Sequence, residues 1–329
     1  MRTSSRILLG AIIFMLFLYL LSKIQFAVIF SILTTIKLRF FIIAFAIYSL
    51  AILIFIARTM ISLRKIITPH FWFFLETGMA GFFINAITPG SQVGGEPVRA
   101  YYLAKRYNKP KTKVFGAILA DRIMHGSISF FFVIASLLFV LTYIPVSDEL
   151  KIIFQTVLFF LLAFLAAIIW FNTKRSRFSL KKILQRLKIF QKIKKIKILK
   201  QAEKHFGNFT SSFRKTIFDK ETLFFGLTFS LAHWLLVYLS SYFIFLALGV
   251  HISFFLVIVV FCLGSLVGEF SPTPGGVGIV EGFMIFFYSL VGINLEIAVV
   301  AAVLIRAIGY FYSLIIGSIC LLHLEKKLG

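Results

Sequence analysis

The sequence predicts an all-α, polytopic integral membrane protein: about six full spans plus two Pro/Gly-broken re-entrant hairpins, arranged as an inverted-topology repeat. Three observations predict it. The chain of 329 residues is 60% hydrophobic and only 14% charged, with a mean hydropathy of +0.98. Ordinary globular domains carry about 25% charged residues, so too little polar surface is present to cover a soluble core. Several apolar runs reach the ~20 residues that a bilayer crossing needs. A short motif with the same flanking elements occurs twice.

The elements follow in order. Runs at 7–22, 39–57, 114–143, 151–171, 222–248 and 297–323 are expected as full spans. Arg2 and Arg6 precede the first run as in a signal peptide, but Ser22 leads into Lys23 with no small-residue cleavage site. An uncleaved first helix is expected. Runs 70–88 and 254–292 are broken by Gly and Pro. The resulting segments are 1–36 (first helix and outer stretch), 37–143 (repeat one), 144–221 (connecting span and basic loop) and 222–329 (repeat two).

Charge sets the orientation. The net charge is +23, from 35 Lys and Arg against 12 Asp and Glu. In a soluble chain that balance would point to nucleic acid; here the excess of Lys and Arg in cytoplasmic loops accounts for it, and no nucleic-acid partner is expected. Residues 58–65 hold Arg58, Arg64 and Lys65, residues 89–113 hold six bases, and residues 172–221 hold sixteen. The loop 144–150 carries Asp148 and Glu149 with no base. The three basic segments are therefore placed in the cytoplasm, with both termini, in the cell membrane; Lys23, Lys37 and Arg39 fall on the outer side against the trend. With both flanks of 70–88 cytoplasmic, that run must enter, turn and return. Irregular backbone at membrane depth is tolerated only within protein or a wet cavity.

The first broken run ends in Asn85-Ala86-Ile87-Thr88-Pro89-Gly90-Ser91-Gln92-Val93-Gly94-Gly95-Glu96. The second contains Glu269-Phe270-Ser271-Pro272-Thr273-Pro274-Gly275-Gly276-Val277-Gly278-Ile279-Val280-Glu281. Both read T-P-G-x5-E, 185 residues apart. With a one-residue gap the match extends from Asp121-Arg122 to Arg306, and span 39–57 falls opposite 222–248. One intervening span, 151–171, would invert the second copy relative to the first, the architecture of many transporters.

The turns and the charges beside them carry the candidate chemistry. Pro and Gly free backbone groups, and N–H groups at a following helix start can hold an anion. The alternative use of these glycines is close packing. Glu96, Glu269 and Glu281 lie in or beside the turns, and an ionisable group at membrane depth demands a partner. Arg122 and Arg306, one per repeat, with Asp121 beside the first, supply it, either as ion pairs tying helices together or as a cavity whose planar guanidiniums grip phosphate. Arg99, Lys105 and Arg106 are expected on an amphipathic helix at the cytoplasmic surface, with a headgroup entrance as the functional use of Arg99. His70, His125, His233 and His323 show no metal spacing and are read as hydrogen-bonded helix residues. Cys262 and Cys320 lie in apolar runs outside any CxxC pattern. Neither metal nor cofactor is expected, and no nucleotide-binding motif is present. Residues 180–200 read as a basic amphipathic helix suited to an anionic leaflet.

The segments N-A-I-T-P-G-S-Q-V-G-G-E-P-V-R-A-Y-Y-L-A-K-R, A-D-R and E-F-S-P-T-P-G-G-V-G-I-V-E-G resemble the lysylphosphatidylglycerol synthase transmembrane family, which includes the membrane half of the multiple peptide resistance factor. The resemblance covers nearly the whole chain. It implies a flippase-like fold that moves a phospholipid or lipid-linked headgroup between leaflets, with membrane lipids, above all anionic phospholipid, as partners. Because the chain stops at Gly329, lysine transfer is not expected of it. An intramembrane lipid-modifying enzyme and a membrane anchor for a cytoplasmic enzyme are the alternatives.

Overall fold

A computed structural model describes residues 26–88, 94–174 and 197–328. The expected span 7–22, Pro89 and Gly90 of the first turn, and most of the basic segment 180–200 lie outside the described residues. Helices account for nearly everything described. In chain order they are α1 (Phe26–Thr34), α2 (Leu38–Leu63), α3 (Phe71–Ile87), α4 (Gly95–Arg106), α5 (Lys111–Tyr143) and α6 (Asp148–Lys174). After residue 196 come α7 (Lys197–Ile217), α8 (Lys220–Ala247), α9 (Phe254–Glu269), α10 (Ile279–Leu290), α11 (Leu295–Tyr310) and α12 (Gly317–Leu328). A π-helical turn, Phe311–Ile316, joins the last two.

Among the described residues, four helical stretches are long and apolar enough to cross a membrane: Leu38–Leu63, Lys111–Tyr143, Lys220–Ala247 and Leu295–Leu328. They carry four of the six expected spans, and run 151–171 lies within α6. Their outer faces present Phe131, Leu138, Phe159, Phe224, Ile319 and Leu322, the apolar exterior that lipid rather than water requires.

α2 and α8 pack antiparallel along their lengths. At one end Arg64 bonds Glu221 at 2.7 Å and Lys65 bonds Asp219; at the other the Lys37 N–H reaches the Ala247 carbonyl at 2.9 Å. Between them Ser240 donates to Ala44 O at 2.8 Å and His233 Nδ1 donates to Ala51 O at 2.9 Å. Small residues permit this closeness: Ala44 and Ala51 are fully buried. The start of α8 is fixed by Asp219, whose carboxylate accepts from the Thr222 N–H at 3.0 Å, an N-cap that satisfies an otherwise orphaned donor.

Each broken run builds a helical hairpin. The first differs from expectation in where its return arm lies. Run 70–88 does not fold back on itself; it is the single helix α3. The return arm is α4, within the segment 89–113 read from its charge as cytoplasmic loop. The arms touch backbone to backbone, since a Cβ on Gly95 would stand 2.3 Å from the Gly81 carbonyl oxygen. Only the far end of that segment belongs with the other loops: the Tyr107 hydroxyl accepts from the His70 N–H at 3.1 Å, joining the bases of the two arms. The second hairpin is α9 and α10, with its turn over 270–278. Its tip reaches the tip of the first, where a Cβ on Gly275 would lie 3.0 Å from the Ala86 carbonyl oxygen.

Two apolar clusters surround these hairpins. One gathers Phe55, Ile56, Phe74, Met79 and Leu103 around α3 and α4; the other gathers Leu137, Phe245, Val259, Met284 and Phe287 around α9 and α10. Each buried aromatic of this size contributes about 1.5–3 kcal/mol through its apolar area.

Candidate functional site

The second turn shows why its residues are what they are. Gly275, Gly276 and Gly278 hold φ of +58°, +72° and +82°, a left-handed run that other residues adopt at a cost. Ser271 and Thr273 hydroxyls lie 2.8 Å apart, and Thr273 Oγ1 donates to the Val277 carbonyl at 2.9 Å, tying the turn across Pro272 and Pro274. In the first turn Thr88 ends α3, its hydroxyl donating to Ile84 O at 2.8 Å, while Gly94 leaves room for Ile84 and Thr88.

At each helix start one freed N–H is taken up by a side chain. Gly95 N–H donates to Asn85 Oδ1 at 2.7 Å. Gly278 N–H donates to Glu281 Oε2 at 2.7 Å, a carboxylate at the third helical position reaching back to cap its own helix.

Side chains form one ion pair per hairpin. At the first hairpin Arg122 Nη1 donates to Glu96 Oε1 at 2.8 Å. At the second Arg306 Nε donates to Glu281 Oε1 at 2.8 Å, and its Nη2 donates to Gly275 O at 2.6 Å. Tyr310 OH joins the second pair, 3.1 Å from Glu281. Each pair links the start of a return arm (α4 or α10) to the long helix behind it (α5 or α11). The carboxylates are the more enclosed partners, while the Arg122 and Arg306 side chains remain 32% and 24% exposed. Glu269 is an exposed residue at the end of α9.

Asp121 does not join Arg122. It points the other way, into a bidentate pair with Arg58 at 2.9 and 3.0 Å. Ser62 Oγ and Thr59 Oγ1 also donate to it, at 2.8 and 3.2 Å. Arg99 joins through Thr59, its Nη2 2.9 Å from Thr59 Oγ1. Arg58 and Asp121 are each 1% exposed and Arg99 6%. Two expectations are corrected here. Arg58 is no loop residue, because α2 continues to Leu63, past the end of its apolar run. Arg99 is no surface residue, because α4 is the inner arm of a hairpin; the Phe55 ring lies under both guanidiniums, 4.7 Å from Arg58 Cζ and 5.0 Å from Arg99 Cζ.

Beside this network His125 stacks on Trp234 with centroids 5.0 Å apart and meets His233 at the same distance. His233 is hydrogen-bonded as expected; His125 Nδ1 has no partner among the described residues. His323 lies 3.3 Å from Glu76 across α12 and α3. No cluster of three or more His, Cys, Asp or Glu with metal-binding geometry occurs among the described residues. Sequence reasoning missed Arg58, Thr59 and Ser62; their spacing, one turn apart on α2, was the available signal.

Comparison with known proteins finds relatives of this sequence. Residues 7–317 match the family model described as "Lysylphosphatidylglycerol synthase TM region". A UPF0104 membrane protein of Methanothermobacter thermautotrophicus is 30% identical over 244 residues, 74% of this chain and 71% of the relative. One of Pyrococcus horikoshii is 28% identical over 300 residues, 88% of this chain and 89% of the relative. One of Methanocaldococcus jannaschii is 27% identical over 255 residues, 76% and 74% respectively.

Proposed function

We propose, starting from the fact that this chain belongs to the lysylphosphatidylglycerol synthase TM family, that it is a lipid flippase-like transporter. Its cargo is the anionic headgroup of a phospholipid or lipid-linked compound, carried between leaflets of the cell membrane. The observation that carries this reading is the doubled Glu–Arg pair: Glu96–Arg122 and Glu281–Arg306 stand at the starts of the return arms of two hairpins whose tips meet.

The chemistry runs as follows. A guanidinium carries five N–H donors, and its planar fork meets two phosphate oxygens at once. An arriving phosphate competes with Glu96 or Glu281 for its arginine; the carboxylate holds the arginine in place while the site is empty. In this reading the chain is an inverted duplication, 37–143 and 222–329, with both termini cytoplasmic. Exchange of the phosphate between the two arginines then moves it from one half to the other, and an inverted pair presents its two sites to opposite leaflets. The paired tips act as the gate, and the π-helical turn after Tyr310, a feature frequent at functional sites, lets α11 and α12 move separately.

The experiment is headgroup-selective translocation by protein reconstituted into vesicles. The protein is expected to accelerate leaflet exchange of a short-chain fluorescent phosphatidylglycerol well above that of a zwitterionic phosphatidylcholine, leaving both chemically unchanged. Exchange no faster than in protein-free vesicles contradicts the reading. A chemically altered lipid would instead identify a lipid-modifying enzyme.

A further inference from the structure

The two repeats share their hairpins and their Glu–Arg pairs, but not what lies beneath. Aligned on T-P-G-x5-E, Arg58, Thr59, Ser62 and Arg99 of repeat one stand opposite Phe243, Ile244, Ala247 and Met284 of repeat two. With the one-residue gap that brings Arg122 onto Arg306, Asp121 stands opposite Ile305. Ile244, Ala247, Met284 and Ile305 are all buried. The same fold is therefore built in repeat two with apolar residues at every position of the network. Replacing a buried ion pair by packed apolar groups is commonly neutral or stabilising, so holding the helices together does not explain why repeat one keeps two arginines.

The charges do not cancel either. Arg58 and Arg99 share the single carboxylate of Asp121, Arg58 directly and Arg99 through Thr59. The adjacent Arg122 is matched by Glu96. One positive charge is left over at a depth where an unbalanced charge is expensive. Arg58 Nη1 and Arg99 Nε, both buried, have no hydrogen-bond partner among the described residues. The surplus is thus of positive charge and of N–H donors together, and its chemical complement is an anion rich in acceptor oxygens.

We propose that Arg58, Arg99 and Thr59 form a phosphate-binding subsite present in repeat one alone, with Asp121 as the positioning residue that fixes Arg58. The subsite deepens the reading of the chain as a headgroup carrier, and rests on it for the identity of the cargo. Glu96 and Arg99 lie one turn apart on α4, so the half-open Arg122 forms an outer layer and the buried Arg99 and Arg58 an inner one. A phosphate meets Arg122 first and is then drawn to Arg99. Repeat two has only the outer layer, so the halves hold the same anion with different strength.

The test is binding, kept separate from transport. Thermal midpoint and affinity are measured on purified detergent-solubilised full-length protein with three probes at constant ionic strength: inorganic phosphate, dioctanoyl phosphatidic acid and dioctanoylglycerol. Either phosphate probe is expected to stabilise the wild-type protein and dioctanoylglycerol is not. Stabilisation by phosphatidic acid alone makes the subsite a lipid-headgroup site, whereas stabilisation by inorganic phosphate too makes the phosphate itself sufficient. Arg99→Met, which installs the repeat-two residue, is expected to leave the ligand-free midpoint unchanged or raised while weakening phosphate-probe affinity at least tenfold. Arg99→Lys, the conservative variant, is expected to lose affinity severalfold because it lacks the fork. Wild-type protein indifferent to both phosphate probes overturns the subsite without recourse to any variant, as does wild-type affinity in Arg99→Met. Failure of the translocation experiment with these affinities intact would instead overturn the carrier reading and leave the subsite standing.

Discussion

At the scale of single residues, the buried Asp121 decides how the interior of repeat one is wired. Its two oxygens accept four bonds, from Arg58, Ser62 and Thr59, so the carboxylate is fully used. Asp121→Asn strands a buried guanidinium and is expected to cost about 3–5 kcal/mol, read as a large fall in the thermal midpoint in detergent. The double exchange Arg58→Phe with Asp121→Ile, which copies repeat two, is expected to recover most of that loss; a double variant no better than the single would show that the network is required by the fold. The sequence made Glu96, Arg122, Glu281 and Arg306 legible because a repeated motif marked them. It left Arg58 illegible because hydropathy fades after residue 57 while the helix does not, and an arginine balanced by a carboxylate 63 positions later in the chain has no local signature.

At the scale of elements, the hairpins were legible as Pro/Gly interruptions, but the return arm α4 was not. Its bases gave it the look of a helix on the cytoplasmic surface, and only packing against Gly81 and Phe55 places it as an inner arm. The junction of α2 and α8 was likewise hidden, since nothing local links Lys65 to Asp219. There Asp219 caps α8 while accepting from Lys65, and the Lys65 and Thr222 bonds hold its carboxyl well below the usual carboxylate range. A folded-state value depressed in this way contributes stability above the unfolded value of about 4 and loses it as pH falls toward the folded one. Asp219→Ala is therefore expected to lower stability at neutral pH by about 1 kcal/mol, the worth of a cap, the exposed ion pair adding little. The gap between variant and wild-type midpoints is expected to shrink as pH falls below about 4, where the aspartate of the unfolded chain protonates while that of the folded protein is still charged; a gap independent of pH would assign the effect to packing alone.

At the scale of the whole molecule, four of the expected spans were legible from apolar length, and the proposed duplication is argued from one motif and the order of its neighbours. Antiparallel packing of α2 against α8 is what an inverted pair of halves requires. On a background with Cys262 and Cys320 replaced by Ser, cysteines at Lys109 and Phe218 are expected to react with an impermeant reagent from one side of the membrane, and cysteines at His251 and Asn294 from the other. Labelling of all four from one side would remove the inverted arrangement. The central claim is that Arg122 and Arg306 grip a phosphate instead of merely tying helices. The most direct measurement is leaflet translocation by Arg122→Lys and Arg306→Lys, each beside its thermal midpoint in detergent. Lys keeps the charge opposite Glu96 or Glu281 but loses the planar fork. Both variants are expected to hold a midpoint near wild type while transport falls at least tenfold; wild-type transport in both would contradict the grip and leave the two arginines as parts of the scaffold.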